Sequence, residues 1–258
     1  DLPSHPVAAA RLAYNAERRY WNSFPAEVAE VTDLDFDCER GPVKLRLYHP
    51  APQAMRPVLV YLHGGGWVVG NLDTHDRIMR LLARESGWAV LGVDYGLAPE
   101  HKFPVATRQA AAVAGALPEI LAGRTVDPAR YAFAGDSAGA NLSLSATLLL
   151  KGEGRPLPEA LLLYYGGFGL KDSPSRRFYG NELDGLGEKE LAFYRQCYRA
   201  KPEDDDAPLT DCLRADLSGL PPAFLGAVEL DPLSDDSHAM AKALTLAGVR
   251  HELKTYHG

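Results

Sequence analysis

Cysteine is scarce in this sequence. Cys38, Cys197 and Cys212 form an odd set without paired spacing. No disulfide framework or zinc-binding cysteine cluster can organise the fold, and a reducing cytoplasm is the expected setting. The 8 histidines show no H-E-x-x-H or other ligand spacing, so no metal is expected. No apolar run approaches the roughly 20 residues that cross a bilayer. Asp1-Leu2-Pro3-Ser4-His5-Pro6 lacks a signal-peptide pattern, while the missing initial methionine leaves a removed segment open. Basic charge is not in excess either: 27 Lys and Arg face 34 Asp and Glu, for a net charge of −7. That argues against nucleic acid or an acidic membrane surface as partner. Nucleotide-binding loops are missing too. No G-x-x-x-x-G-K-[ST] occurs, and Gly64, Gly66 and Gly70 do not fit G-x-G-x-x-G.

What is present is enough apolar residue, 46% of 258, for one large α/β domain spanning 1–258. Residues 1–25 mix helix formers with Tyr14, Tyr20, Trp21 and Phe24 and read as a helical cap. Strands are expected at Ala29–Phe36, Val43–Tyr48, Val58–Leu62, Ala89–Tyr95, Tyr131–Gly135, Ala160–Tyr165, Pro222–Val228 and Arg250–Tyr256. Helices are expected from Asp73 or Thr74 (as cap) to Gly87 with Ile78, Leu81 and Leu82 inward, over Ala106–Leu121, over Leu142–Leu150, near Glu188–Ala200 and over Asp235–Leu246. Lys201–Asp206 reads as a solvated loop, and Asp235 and Asp236 as helix caps. This alternation predicts a mostly parallel sheet with helices on both faces.

Three motifs carry chemistry. Gly135-Asp136-Ser137-Ala138-Gly139 is a G-x-S-x-G between a strand and a helix. There a sharp turn pushes the serine hydroxyl out of the sheet. His63-Gly64-Gly65-Gly66-Trp67 follows a buried strand. Its glycines let main-chain N–H groups approach a substrate, so Gly64, Gly65 and Ala138 are the expected oxyanion donors, each worth about 10²–10³ in rate. His63 is expected to brace that loop. Asp231 follows the Pro222–Val228 strand. By itself it reads as a turn or cap residue before Pro232. After the other two motifs, in the order Ser…Asp…His, it reads as the carboxylate that orients a histidine.

These motifs, with Asp94-Tyr95-Gly96-Leu97-Ala98-Pro99-Glu100, resemble the hormone-sensitive-lipase branch of the α/β hydrolases, and within it bacterial acetyl esterases. Glu17–Asn22 and Gly70–Arg80 support the narrower likeness. The resemblance covers nearly the whole chain. It implies an α/β-hydrolase fold and cofactor-free hydrolysis of short-chain carboxylic esters by Ser137 through an acyl-enzyme. The partner is then a small ester; a homodimer is left open. Three departures stand out. Gly96 replaces an arginine that would form a local salt bridge, and Ala140 replaces a glycine. The family histidine follows a Tyr-Pro-Gly-like segment, here matched by Lys254–Gly258, so its register falls just past Gly258 and the chain reads as shortened. His257 is the in-sequence candidate, ahead of His238 and His251. Two other readings compete: a small-ligand-binding protein on the same fold that has lost catalysis, and a peptidase.

Overall fold

The computed structural model describes residues 6–180 and 186–257; Asp1–His5 of the expected cap, and Gly258, lie outside the described residues. Eight strands build one sheet: β1 (Glu30–Cys38), β2 (Gly41–His49), β3 (Arg56–Leu62), β4 (Ala89–Asp94), β5 (Val126–Asp136), β6 (Leu161–Tyr164), β7 (Ala223–Val228) and β8 (His251–Tyr256). Their spatial order is β1-β2-β4-β3-β5-β6-β7-β8. β2 runs antiparallel to both β1 and β4, and every pair from β4 to β8 is parallel. Parallel strands need crossovers, and helices supply them. α1 (Pro6–Trp21) precedes the sheet; the helices between strands are α2 (Asp76–Ser86), α3 (Val105–Gly115), α4 (Leu117–Ile120), α5 (Ala138–Gly152), α6 (Pro174–Tyr179), α7 (Glu188–Tyr198) and α8 (Ser234–Leu246).

β3 shows why the sheet must be covered twice. Val58, Val60 and Leu62 enter one apolar cluster with residues of α3, α5 and α8. Leu59 and Tyr61, pointing the other way, enter a second with Met79 and Ala83 of α2. A strand apolar on both faces is stable only between two layers.

All eight expected strands are present, and the differences are local. Neither Asp73 nor Thr74 caps α2. Its N-cap is His75, without a side-chain bond, because Thr74 Oγ1 is occupied by Asn71 and the His75 ring. The buried positions of α2 are Met79 and Ala83; Ile78, Leu81 and Leu82 are only partly covered. The helix expected over Ala106–Leu121 divides at Ala116, and Pro118 sits in the first turn of α4, where its missing N–H costs nothing. Lys201–Asp206 is not simply solvated. Pro202–Asp206 forms a 3₁₀ turn in which buried Asp204 accepts the Ala200 and Lys201 N–H groups, both at 2.9 Å.

Candidate active site

The parallel strands all point their C-terminal ends to one edge, the edge at which open α/β sheets bind ligands. A cavity of about 430 Å³ opens there. Ser137, Ala138, Gly65 and Asp231 line it, as do Gly66 and Asp136. Trp67, Ser137 and Tyr165 are the non-glycine residues with positive φ among those described, and all three border this cavity. Sparsely populated backbone conformations cost about 1–3 kcal/mol each and cluster where geometry serves function.

The turn at Ser137 follows from its neighbours. Ser137 has φ 53° and ψ −118°, and its N–H donates to the Tyr164 carbonyl at 2.8 Å. Its hydroxyl has no hydrogen-bond partner among the described residues. Gly139 is required because a Cβ there would lie on the Leu62 carbonyl oxygen; at Gly135 it would meet the Gly139 backbone. β3, β5 and α5 therefore approach closer than any side chain permits.

Asp136 fastens this turn to the glycine loop. Its Oδ1 accepts the Tyr61 hydroxyl at 2.6 Å and the Gly64 N–H at 2.9 Å, and its Oδ2 lies 3.5 Å from His75 Nε2. Burial pushes the Asp136 carboxyl up, but His75, Tyr61 and the Gly64 amide outweigh it and hold it at about 2. Gly64 therefore differs from the other expected donors: its N–H is already spent on Asp136. The Gly65, Gly66 and Ala138 N–H groups have no acceptor among the described residues. In Ala138 this is inherent, since the first N–H of a helix lacks an intrahelical partner.

His63 is buried away from the cavity. Its ring stacks on Tyr95 at 4.4 Å, its Nδ1 meets the Gly64 carbonyl at 2.8 Å, and Tyr95 donates to its carbonyl at 2.7 Å. Burial depresses it to about 3, so it stays neutral. Asp231 follows β7 and accepts the Leu233 N–H at 2.6 Å; burial raises its carboxyl. β8 ends beside it, with Tyr256 paired to Val228 and the Glu229 N–H donating to the Tyr256 carbonyl at 2.9 Å. His257 is exposed and pairs with Glu229 at 3.0 Å, not with Asp231. His238 is exposed on α8, and His251 bonds the Val249 carbonyl.

Three contributors were not legible beforehand. His75 lines the cavity with both ring nitrogens engaged, by Thr74 and Asp136. Asp236 does not cap α8. It is fully buried, accepts the N–H groups of Phe168, Gly169 and Leu170 at 2.7, 3.0 and 3.2 Å, and pairs with Arg176 at 3.0 Å. Asp235 accepts the Ser175 N–H at 2.8 Å. The α1 residues Tyr14, Glu17 and Arg18 also border the cavity. Of the segment after β6, Tyr165 and Gly167 line it, whereas Phe168 is core. At Gly96 a Cβ would lie 2.8 Å from the His101 ring, so a side chain there requires that exposed ring to shift.

Known proteins agree with this architecture. A family model described as alpha/beta hydrolase fold matches residues 59–258. The chain is 39% identical to an acetyl esterase of Salmonella dublin over 266 aligned positions, covering all of this chain and 81% of that one. It is similar to the esterase structure of Pyrobaculum calidifontis, with a TM-score of 0.93 and 34% identity over 99% of this chain and 85% of that one. A thermostable carboxylesterase cloned from a metagenomic library superimposes with a TM-score of 0.92 and 33% identity, over 99% of this chain and 88% of the other.

Proposed function

We propose that this chain, which belongs to the hormone-sensitive-lipase-like α/β hydrolases and is a carboxylic ester hydrolase, cleaves short-chain acyl esters with Ser137 as nucleophile. The observation that carries the reading is the position of Ser137. Its hydroxyl stands at a tight turn, in one cavity with the amides of Gly65, Gly66 and Ala138, and none of these groups has a hydrogen-bond partner among the described residues.

Ser137 Oγ attacks the ester carbonyl while a histidine takes its proton. The negative oxygen of the tetrahedral intermediate is held by the Gly65 and Ala138 N–H groups, with Gly66 in the place first expected of Gly64. Such amides are fixed before reaction and pay no reorganisation. Gly64 acts through Asp136 as the tie that sets the loop. Asp231 orients the histidine and stabilises its imidazolium. β8 ends next to β7, so the chain leaving Tyr256 starts beside this carboxylate. The alcohol leaves with the histidine's proton, and water then cleaves the acyl-enzyme. Support for short chains comes from the acetyl esterase likeness.

Ser137→Ala in the full-length protein is the test. Turnover of 4-nitrophenyl acetate should fall by at least about 10⁴-fold, and an organophosphonate should label the wild type at Ser137 only. Undiminished turnover in the variant, or labelling elsewhere, refutes the assignment. A rise in kcat/KM from acetyl to decanoyl esters removes the short-chain reading alone.

A further inference from the structure

Four cationic side chains border the Ser137 cavity: Arg18, Lys171, Arg176 and Arg195. Arg176 is committed to buried Asp236. Lys171 donates to the Asp205 carbonyl at 2.6 Å and lies 3.7 Å from Asp206. Arg195, in the last turn of α7, also borders a second and more open cavity. Arg195 and Arg18 both lack an ion-pair partner among the described residues; Arg18 differs in having a buried guanidinium nitrogen. α1 carries it into the site, its Nε is buried without a hydrogen-bond partner, and no carboxylate among the described residues lies within 4.0 Å of its guanidinium. Glu17 and Asp136 act on it through space only, and the Tyr14 hydroxyl oxygen is its one polar side-chain neighbour in hydrogen-bonding reach among the described residues.

Its surroundings are built for an anion. The Arg18 Cζ sits 4.8 Å over the Tyr14 ring, which supports one face of the guanidinium plane. Tyr14 and Tyr165 line the same cavity, and neither hydroxyl has an acceptor among the described residues. Burial raises both phenols, Tyr14 to about 12, so both remain O–H donors. The nearby Asp136 charge is already met by Tyr61, Gly64 and His75. A partly buried guanidinium without a counter-charge is costly, and its rigid fork matches a carboxylate.

We propose that Arg18, with the Tyr14 and Tyr165 hydroxyls, binds a carboxylate carried by the substrate, so that the preferred substrate is an ester bearing a free carboxylate group. The inference rests on the reading of this cavity as the ester site, and extends it to substrate class. The carboxylate can sit on the acyl side, as in a hemiester of a short dicarboxylic acid, or on the alcohol side, as in an O-acyl hydroxy acid.

Paired esters of equal shape decide it. For the acyl side, 4-nitrophenyl hemisuccinate is compared with 4-nitrophenyl 4-methylpentanoate. For the alcohol side, O-acetylglycolate is compared with isobutyl acetate. At low ionic strength one acidic ester should exceed its neutral partner in kcat/KM by about tenfold or more, mainly through KM. Arg18→Gln should reduce that ratio by about tenfold, and Arg18→Lys should keep part of it. If the neutral esters are hydrolysed and neither acidic one is preferred, the proposal fails while the esterase reading stands. An unchanged ratio in Arg18→Gln also overturns it. If that variant does not fold, the wild-type ratios and their loss in high salt decide. Inactivity of the wild type towards all four esters overturns both readings.

Discussion

The Asp136 carboxylate accepts the Gly64 N–H at 2.9 Å across 72 positions of sequence. This bond joins the residue before Ser137 to the start of the glycine loop, so the turn at the end of β5 and the loop after β3 move as one unit. The Tyr61 hydroxyl meets the same oxygen at 2.6 Å, and His75 approaches the other.

Removing one member of that group leaves buried partners unsatisfied. Tyr61→Phe should lower stability by about 1–3 kcal/mol and reduce kcat more than it raises KM. Asp136→Asn should do both more severely. Guanidinium denaturation at pH 7 and steady-state kinetics give the two readouts. Because the Asp136 carboxyl is held at about 2, below the usual carboxylate range, its contribution is complete above about pH 4. It is lost as pH falls towards 2. The wild type should therefore lose its stability advantage over Asp136→Asn across that interval.

His63 acts in the same direction, but already under mildly acid conditions. Burial depresses it to about 3, whereas the unfolded ring titrates near the ordinary histidine value of 6.5. Below pH 6.5 the unfolded state takes the proton first, so stability falls as pH drops from 6.5 towards 3. Between pH 7.5 and 5 the loss is about 2 kcal/mol. The difference in unfolding free energy between these two pH values should be smaller by that amount in His63→Gln than in wild type, as read by denaturant titration.

Asp236 holds the loop after β6 by three backbone N–H groups and one arginine. Asp236→Ala strands all four donors in a dry site. A loss of about 3–5 kcal/mol is expected. Gly167, Gly169 and Leu170 line the cavity, so KM for a short ester should rise as well. Thermal unfolding and a KM measurement on the surviving folded fraction check this; a melting temperature within 2 °C of wild type, an order-of-magnitude threshold set by typical domain unfolding entropies, contradicts it.

Two adjacent helix positions should respond in contrasting ways. Gly139→Ala drives a Cβ onto the Leu62 carbonyl, a backbone atom that cannot rotate aside. The expected cost is about 3 kcal/mol or more, with loss of activity. Ala140→Gly, one residue further into α5, should cost only about 1 kcal/mol from helix propensity and leave a folded protein. Soluble yield and circular dichroism of the two variants compare them directly.

The strands were legible because buried parallel strands are near-continuous apolar runs: Val58–Leu62 and Ala89–Val93 need no tertiary information to be found. Ser137 was legible because flanking glycines record a close backbone approach. α6 was not foreseen, since its six residues Pro174–Tyr179 carry little periodicity. Asp235 and Asp236 followed the pattern of helix caps, and local pattern could not reveal that their partners lie some 60 positions upstream.

Local order along the chain thus determined the layered α/β fold, the turn that exposes Ser137, and the ends of strands at which Gly65 and Asp231 stand. Backbone propensity and alternation act over a few residues, and these features need nothing more. Only the tertiary structure decided that Gly64 spends its N–H on Asp136, that His75 braces the same carboxylate, that Asp236 organises a distant loop, and that Arg18 enters the cavity without an ion-pair partner among the described residues. Each of these depends on which distant groups meet in a low-dielectric interior, where one hydrogen bond made or missing outweighs any local preference.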